Sequence, residues 1–282
     1  MIPDLTNFLS EESRTVSYWP SEVHSNSPTH VTGSRISLFL KKSASDSTNW
    51  ETASDFGGMQ VSMAWIEDGQ AYAFVQRMNP GPSLLFPLHL SESEMKSQVA
   101  DVVQTQTAFG NTIAISNLEQ RANALKLFVS SKHWFARKAA FTELGNCGEA
   151  ALPILRRMLN DESMLPQHGD VIGAMGHAGG ISVAPELTKL VETETQFWKQ
   201  TAPNLKSGWW NGTGIDWSEV ETLRNRYVKL GAAIGVLGQL KYANCKNAVT
   251  ECRDVWRSFP QLEEIGLGQM SRGCDNLLKS LQ

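Results

Sequence analysis

The stretch RKAAFTELGNCGEAALPILRRMLND, from Arg137 to Asp161, is the part of the sequence that decides the fold. Its residues up to Leu144 and Gly145 read as the end of one helix, and Ala150 to Leu155 opens the next. The second helix carries apolar residues at spacings of three and four: Leu152, Leu155, Met158 and Leu159. This spacing is typical of a helix face that is turned toward a core. The stretch therefore predicts a helical hairpin.

The Leu-Gly or Met-Gly step that ends the first helix recurs along the second half of the chain. Its glycines are Gly145, Gly176, Gly238 and Gly268, spaced by 31, 62 and 30 residues. We therefore expect units of about 31 residues, with two units in the middle gap. A hairpin of this size cannot bury its apolar face alone, so neighbouring units should stack. Gly145 and Gly176 are expected near helix ends, where a left-handed residue is favoured.

The hairpin from Arg137 to Asp161 resembles HEAT repeats of the short bacterial type, which are also found in phycobilisome lyases. The matching features are the initial Arg, the Ala-Ala pair, the Leu-Gly before the turn, the Pro-x-Leu and the closing Leu-x-Asp. Residues Gly169 to Glu192 are similar in their glycine turn and Ala-Pro-x-Leu helix, and residues 219–282 match loosely. The resemblance implies an α-solenoid that binds proteins and in some cases nucleic acid.

The first 115 residues have a different pattern, with short apolar runs that are rich in β-branched and aromatic residues. The runs are Thr15 to Trp19, Arg35 to Leu40, Gln60 to Ile66, Ala71 to Gln76 and Leu84 to Leu90. Asp68-Gly69 predicts a hairpin between two of them. A helix is expected from a cap at Ser91 or Ser93 to about Gln104, followed by a closing strand at Thr112 to Ile115.

These patterns predict an α+β protein, with a small and mostly antiparallel β domain followed by an α-solenoid of HEAT-like hairpins. The β-rich domain is expected at 1–115 and the helical domain at 116–282. The β domain carries 6 basic against 12 acidic residues, a net charge of -6, and the remainder carries 19 against 17. Acidic residues beside its predicted loops, such as Glu51 and Asp55, form either a solvated rim or a surface for a basic partner.

A tryptophan-rich insertion is expected at 201–218, between the second and third units. Four of the nine tryptophans fall within twenty residues here. We predict a partner surface formed by Trp198, Trp209, Trp210, Trp217, Asp216 and Arg224. Tryptophan is over-represented at the residues that dominate binding energy. The alternative is that the indole rings fold back and pin a long loop onto the adjacent helices.

The sequence offers no pattern of residues that performs a reaction. None of the six histidines stands at a helical metal-binding spacing, and no Gly-x-Ser-x-Gly or phosphate-binding glycine loop occurs. We therefore expect no enzyme activity, no metal and no cofactor. Cys147, Cys245, Cys252 and Cys274 read as buried apolar residues. Cys245 and Cys252 are too far apart on one helix for a disulfide, while Cys274 could meet one of them.

The predicted function is a non-catalytic scaffold or adaptor that binds a protein, with an immunity or inhibitor protein as a specific variant. One alternative is an enzyme similar to HEAT-like DNA glycosylases, using Trp209, Trp210 and Asp216 with Arg224 and Arg226. The near-neutral charge of the second half disfavours nucleic acid as a partner. Another alternative is a secreted carbohydrate- or surface-binding module. Without an apolar run long enough for a membrane span or a visible signal peptide, we expect a cytoplasmic protein, or a secreted one if a leader was removed.

Overall fold

The computed structural model describes different parts of the chain at two levels of detail. Backbone is described for residues 35–38, 40–42, 50–52, 59–67, 70–77, 84–265 and 269–282, and side chains for 91, 93–94, 97–98, 100–133, 136–265 and 269–282. The chain divides into two compact units, Met1–Thr105 and Gln106–Gln282. The predicted strand at Thr15 to Trp19 lies outside the described residues.

The strands occur in the first unit and pair in antiparallel fashion. They are β1 (Arg35–Leu38), β2 (Leu40–Lys42), β3 (Trp50–Thr52), β4 (Met59–Glu67), β5 (Gln70–Arg77) and β6 (Leu84–Ser91). Four of them pair in the order β1-β4-β5-β6, and β2 pairs with β3. Glu67 lies opposite Gln70 at the position of the predicted Asp68-Gly69 turn.

The predicted fold class, α+β with a β domain, is wrong. Residues 92–265 and 269–282 are 83% helical and contain no strand, so this part of the chain is not an α+β fold. Helix α1 (Glu92–Ile113) begins where predicted but continues nine residues past Gln104. Thr112 and Ile113, which were predicted to lie in a closing strand, belong to its last turn. The Thr112 hydroxyl donates to the Ala108 carbonyl at 3.0 Å, as in a regular helix.

The start of α1 follows from a reciprocal cap. The backbone N–H of Glu94 donates to the Ser91 hydroxyl at 3.3 Å, and the Glu94 carboxylate accepts from the backbone N–H of Ser91 at 2.7 Å. This is the capping-box arrangement, which supplies partners for two N–H groups. The end could not be predicted in the same way, because a short apolar run does not distinguish strand from helix by its periodicity.

The second unit is built from packed helices. They are α2 (Leu118–Leu125), α3 (Trp134–Asn146), α4 (Leu152–Leu159), α5 (His168–Gly179), α6 (Ala184–Thr201), α7 (Trp217–Gln239), α8 (Lys246–Ser258), α9 (Pro260–Glu263) and α10 (Gln269–Ser280). Helices α3, α5, α7 and α10 pack in succession. Helix α4 packs on α5, α6 packs on α7 and α8, and α8 packs on α10. The fold is thus mostly helical, with helix–helix packing throughout this unit.

The two helices predicted from the opening stretch are present as α3 and α4, and each of them packs on α5. The apolar stripe of α4, Leu152 to Leu159 at helical spacing, is buried in the core. The 62-residue gap between Gly176 and Gly238, however, does not hold two hairpins. It holds α6, the insertion and α7. These helices are long, with 18 residues in α6 and 23 in α7, compared with 8 in α4.

Gly145 and Gly238 each lie one residue before a helix end, as was predicted for Gly145, and Gly268 lies outside the described residues. Gly176 instead serves close packing. Gly176 lies inside α5, and a Cβ there would collide with the Val236 side chain of α7. The left-handed positions that were expected at Gly145 and Gly176 fall a few residues later, at Gly148 (φ 60°) and Gly180 (φ 52°). The Met175-Gly176 step therefore marks where two helices approach closely.

Candidate functional site

The insertion between α6 and α7 folds back onto the helices through its inner half. Trp198 and Trp209 are both fully buried. Their ring centroids lie 5.8 Å apart, and Trp198 also packs at 5.2 Å from Trp256 of α8. The indole N–H of Trp209 donates to the Gln261 carbonyl at 2.8 Å. These two predicted binding residues are therefore part of the core in this conformation.

Polar contacts hold the same half of the insertion against the segment around α9. The Glu264 carboxylate accepts from the Gly208 backbone N–H and from the Ser207 hydroxyl, each at 2.7 Å. These hydrogen bonds lower the pKa of Glu264. The Gln261 amide in turn donates to the Ala202 carbonyl at 2.7 Å. The inner half of the insertion is thus fixed at several points.

The outer half presents one indole ring to solvent. Trp217 is 63% exposed. One side of its ring lies against Gly212, where an added Cβ would stand 2.8 Å from a ring carbon and where φ is +87°. The guanidinium of Arg224, which is also on α7, lies 5.8 Å from the centroid of the Trp217 ring, within the range of a cation–π contact. Trp217 and Arg224 are the two predicted binding residues that the fold brings together at the surface.

Asp216 is occupied as a helix cap. Its carboxylate accepts from the Ser218 hydroxyl at 2.5 Å and from the Ser218 backbone N–H at 2.7 Å. Both hydrogen bonds lower the pKa of Asp216. Asp216 therefore starts α7 and sets the direction in which Trp217 projects. Trp210, the remaining predicted residue, is half-buried against the core.

Trp217 begins a line of residues along one face of α7. Residues at positions 217, 221, 224, 228, 231, 235 and 239 are three or four apart, so they share one side of the helix. Val228 in this line is 51% exposed, which is unusual for an apolar side chain in a helix that packs on three others. Sequence reasoning missed Val228, although its helical spacing from Trp217 was a usable signal.

The line leads into a groove between α7 and α10 with a volume of about 600 Å³. Its walls are unusually rich in small residues, with Gly231, Gly235 and Gly238 on α7 and Gly273 on α10. A Cβ added at Gly235 or Gly273 would meet no atom within 4 Å. The groove therefore exists because side chains are missing from both helices. We call Trp217, Arg224, Val228 and this groove the α7 face.

The opposite side of α7 carries a buried ion-pair cluster that sequence reasoning also missed. The Glu194 carboxylate of α6 is 2% exposed and accepts from Lys229 at 3.0 Å. Arg226 lies 3.1 Å from both carboxylate oxygens, with its guanidinium 4.2 Å from the Phe197 ring centroid. One buried anion is thus paired with two cations. None of these residues lines the groove.

His168, at the start of α5, is a buried neutral imidazole beside this cluster. Its Nε2 lies 3.2 Å from the Met158 carbonyl and 3.1 Å from the Asp161 carbonyl, so Nε2 carries the proton and donates. Nδ1 has no hydrogen-bond partner among the described residues. Burial lowers the pKa of His168, and the nearby Lys229 adds to the effect. A charged imidazole would be costly here.

The residues that a base-excising enzyme would need are not assembled. Trp209 is buried, Asp216 is engaged as a cap, and Arg226 is held by Glu194. Among the described residues, no three His, Cys, Asp or Glu side chains come close enough to hold a metal ion. The side chains of Glu51 and Asp55, in the predicted acidic surface, lie outside the described residues.

Comparisons with other proteins leave the chain without an assigned family. It matches no protein-family model, no curated protein and no solved structure. In the helices that the structure describes, no segment has the length and apolar character of a membrane span.

Proposed function

We propose that this protein is a non-catalytic binding protein whose helical unit recognises a partner protein through the α7 face. The single observation that carries the proposal is the continuity of this face. Two large exposed apolar side chains, Trp217 and Val228, stand on the same helix side and lead into an open groove. Scattered apolar residues are ordinary on a protein surface, but an aligned set beside a groove is typical of an interaction site.

The chemistry of the α7 face fits a protein partner. Tryptophan and arginine are enriched among the residues that dominate binding energy, and here Trp217 and Arg224 contact each other. The groove offers space without side chains at Gly235 and Gly273, so apolar side chains from a partner helix would fill it at close range. We expect the partner to place a helix along the groove and an apolar or acidic residue near Trp217 and Arg224.

The architecture around the α7 face supports its use as a scaffold. The inner half of the insertion is pinned by Trp209 and Glu264, so the position of Trp217 is set before binding. A preformed surface loses less conformational freedom when a partner binds. The succession of α3, α5, α7 and α10 is what a stacked helical-repeat scaffold would have, and we include a HEAT-like solenoid in the proposal on that basis.

Site-specific photo-crosslinking tests the proposal. The photoreactive residue p-benzoylphenylalanine is placed at Val228 or Trp217, and at Ile181 or Leu127 as matched exposed apolar controls elsewhere. We expect the same single protein to be crosslinked from Val228 and Trp217 in the native cells, and not from the controls. Crosslinking of that protein from Ile181 instead would place the interface elsewhere. Nucleic acid or glycan in place of protein would contradict a protein-binding function.

A further inference from the structure

Two buried thiols meet where α8 packs on α10. Cys252 of α8 and Cys274 of α10 are both fully buried in the same hydrophobic core, and the nearby Cys252 thiol is the first cause of the raised pKa of Cys274. Ion pairs between neighbouring residues hold α8 and α10 in this alignment. Arg253 lies 3.8 Å from the Asp275 carboxylate, and Arg257 pairs with the same carboxylate at 2.5 Å. The two cysteines therefore face each other in a fixed arrangement of two helices.

The other two cysteines provide an internal contrast. Cys147 at the end of α3 and Cys245 before α8 are also buried. Burial raises the pKa of both, but no other thiol is among the groups that act on them. Proximity to a second thiol thus distinguishes Cys252 and Cys274 from cysteines that merely fill space.

We propose that Cys252 and Cys274 are a redox pair that closes an intramolecular disulfide between α8 and α10. The oxidant is a low-molecular-weight disulfide such as oxidised glutathione. One protein thiolate attacks a glutathione sulfur and releases one glutathione thiol, which gives a mixed disulfide. The second protein thiolate then attacks the protein sulfur of that mixed disulfide and releases the other glutathione thiol. Two electrons and two protons leave the protein, and two molecules of reduced glutathione form.

The environment of the pair makes this exchange slow but productive. Contact with Cys252 and burial both raise the pKa of Cys274, so the closed structure holds the thiol form, which is a poor nucleophile. Exchange therefore requires α10 to separate locally from α8. Once formed, the bond would close a loop from residue 252 to residue 274 and would hold α10 in place. Because Met270, Gly273 and Leu277 of α10 line the groove, oxidation would fix one of its walls.

The inference is independent of the proposed binding function and is tested on the full chain alone. The reduced protein is incubated with oxidised glutathione, alkylated and digested with trypsin without reduction. Trypsin places each cysteine in a separate peptide, with Cys252 in Asn247–Arg253 and Cys274 in Gly273–Lys279. We expect these two peptides to appear as one crosslinked mass, and titratable thiols in the denatured protein to fall from four to two.

The melting temperature gives a second readout. Oxidation should raise it by about 5–10 °C, as expected for a loop of this length in a protein of this size. The rise should vanish in Cys252→Ala and in Cys274→Ala but persist in Cys147→Ala and Cys245→Ala. Four free thiols after prolonged oxidation, stable glutathione adducts without a crosslink, or a crosslink through Cys147 or Cys245 would each overturn the proposal. The peptide mass on the unmutated chain keeps the test decisive if a variant does not fold.

Discussion

Trp209 and Trp217 lie eight residues apart in the same insertion but have opposite environments. Trp209 is fully buried, and its N–H donates to the Gln261 carbonyl. Trp217 is 63% exposed, with its ring against Gly212. The backbone between the two tryptophans turns through left-handed conformations at Gly212 and Gly214. A cluster of tryptophans in a sequence is therefore not one site. Here its inner half anchors the loop, and its outer half is the part that remains available to a partner.

The same contrast continues along α7. Its inner side holds Lys229 against the buried Glu194, and its outer side carries Arg224 and Val228 beside the groove. Substitutions on the inner side should act on the stability of the fold, and substitutions on the outer side should act on binding.

Replacing the buried indole should cost the most. Trp209→Ala removes a fully buried ring and leaves the Gln261 carbonyl without its donor, so we expect a loss of about 3–5 kcal/mol in the free energy of unfolding. Trp217→Ala is the matched control and should change stability by less than about 1 kcal/mol. Urea denaturation followed by circular dichroism measures both. Equal losses in the two variants would remove the distinction between the halves of the insertion.

Breaking the buried ion-pair cluster should cause the next largest loss of stability. Glu194→Gln leaves Lys229 buried without an anion, and we expect a loss of about 3 kcal/mol, near the lower end of the usual range because Arg226 can turn toward solvent. The double variant Glu194→Leu/Lys229→Met removes both buried charges and should recover most of that loss. Chemical denaturation of the three proteins gives the comparison. A double variant less stable than Glu194→Gln would argue against charge burial as the cause.

Alanine substitutions at two glycines of α5 should change stability by smaller amounts and in opposite directions, because only one of the two glycines lies where α5 approaches α7. Gly176→Ala would push a methyl group into Val236, so we expect a loss of about 1–3 kcal/mol. Gly173→Ala, one turn earlier on α5, meets no atom within 4 Å and should gain about 0.5–1 kcal/mol from its higher helix propensity. Thermal denaturation of both variants is sufficient. A neutral Gly176→Ala would show that the helices can separate without cost.

The buried imidazole predicts a pH dependence. Because the pKa of His168 is lowered from its ordinary value of 6.5, the unfolded chain takes up a proton that the folded chain does not. Stability should therefore decrease as the pH falls from about 6.5 to 5, before the carboxylates with lowered pKa, such as Asp161, begin to contribute. His168→Gln should flatten that slope, while His177→Gln, at an exposed position, should leave it unchanged. A slope that persists in His168→Gln would assign it to other groups.

Local signals in the sequence predicted the local structure. The Ser91 cap, the helices α3 and α4 and the apolar stripe of α4 were all predicted, because each depends on residues that are close in sequence. The Asp216 cap was also readable, since Asp-Trp-Ser-Glu before a helix is a capping pattern, but its residues were interpreted as a binding site. The end of α1 was missed because its last turn is rich in β-branched residues.

What could not be predicted depends on distant parts of the chain. Glu194 and Lys229 meet only because α6 and α7 pack in a particular register. The spacing of 62 residues between two glycines suggested an additional hairpin, whereas longer helices and a loop fill it. For the candidate site, the sequence indicated which tryptophans cluster but not which of them turn outward. That choice is made by the tertiary contacts of Trp209 and Glu264.

The most direct test of the α7 face is to fill its groove without disturbing the fold. Gly235→Leu places a side chain in open space on an exposed helix position, and Gly173→Leu does the same on α5 outside the groove. Both should melt at or above the temperature of the unmodified protein. Affinity for the protein crosslinked from Val228 should fall at least about tenfold in Gly235→Leu and remain unchanged in Gly173→Leu. Full affinity in a correctly folded Gly235→Leu would contradict binding at the groove.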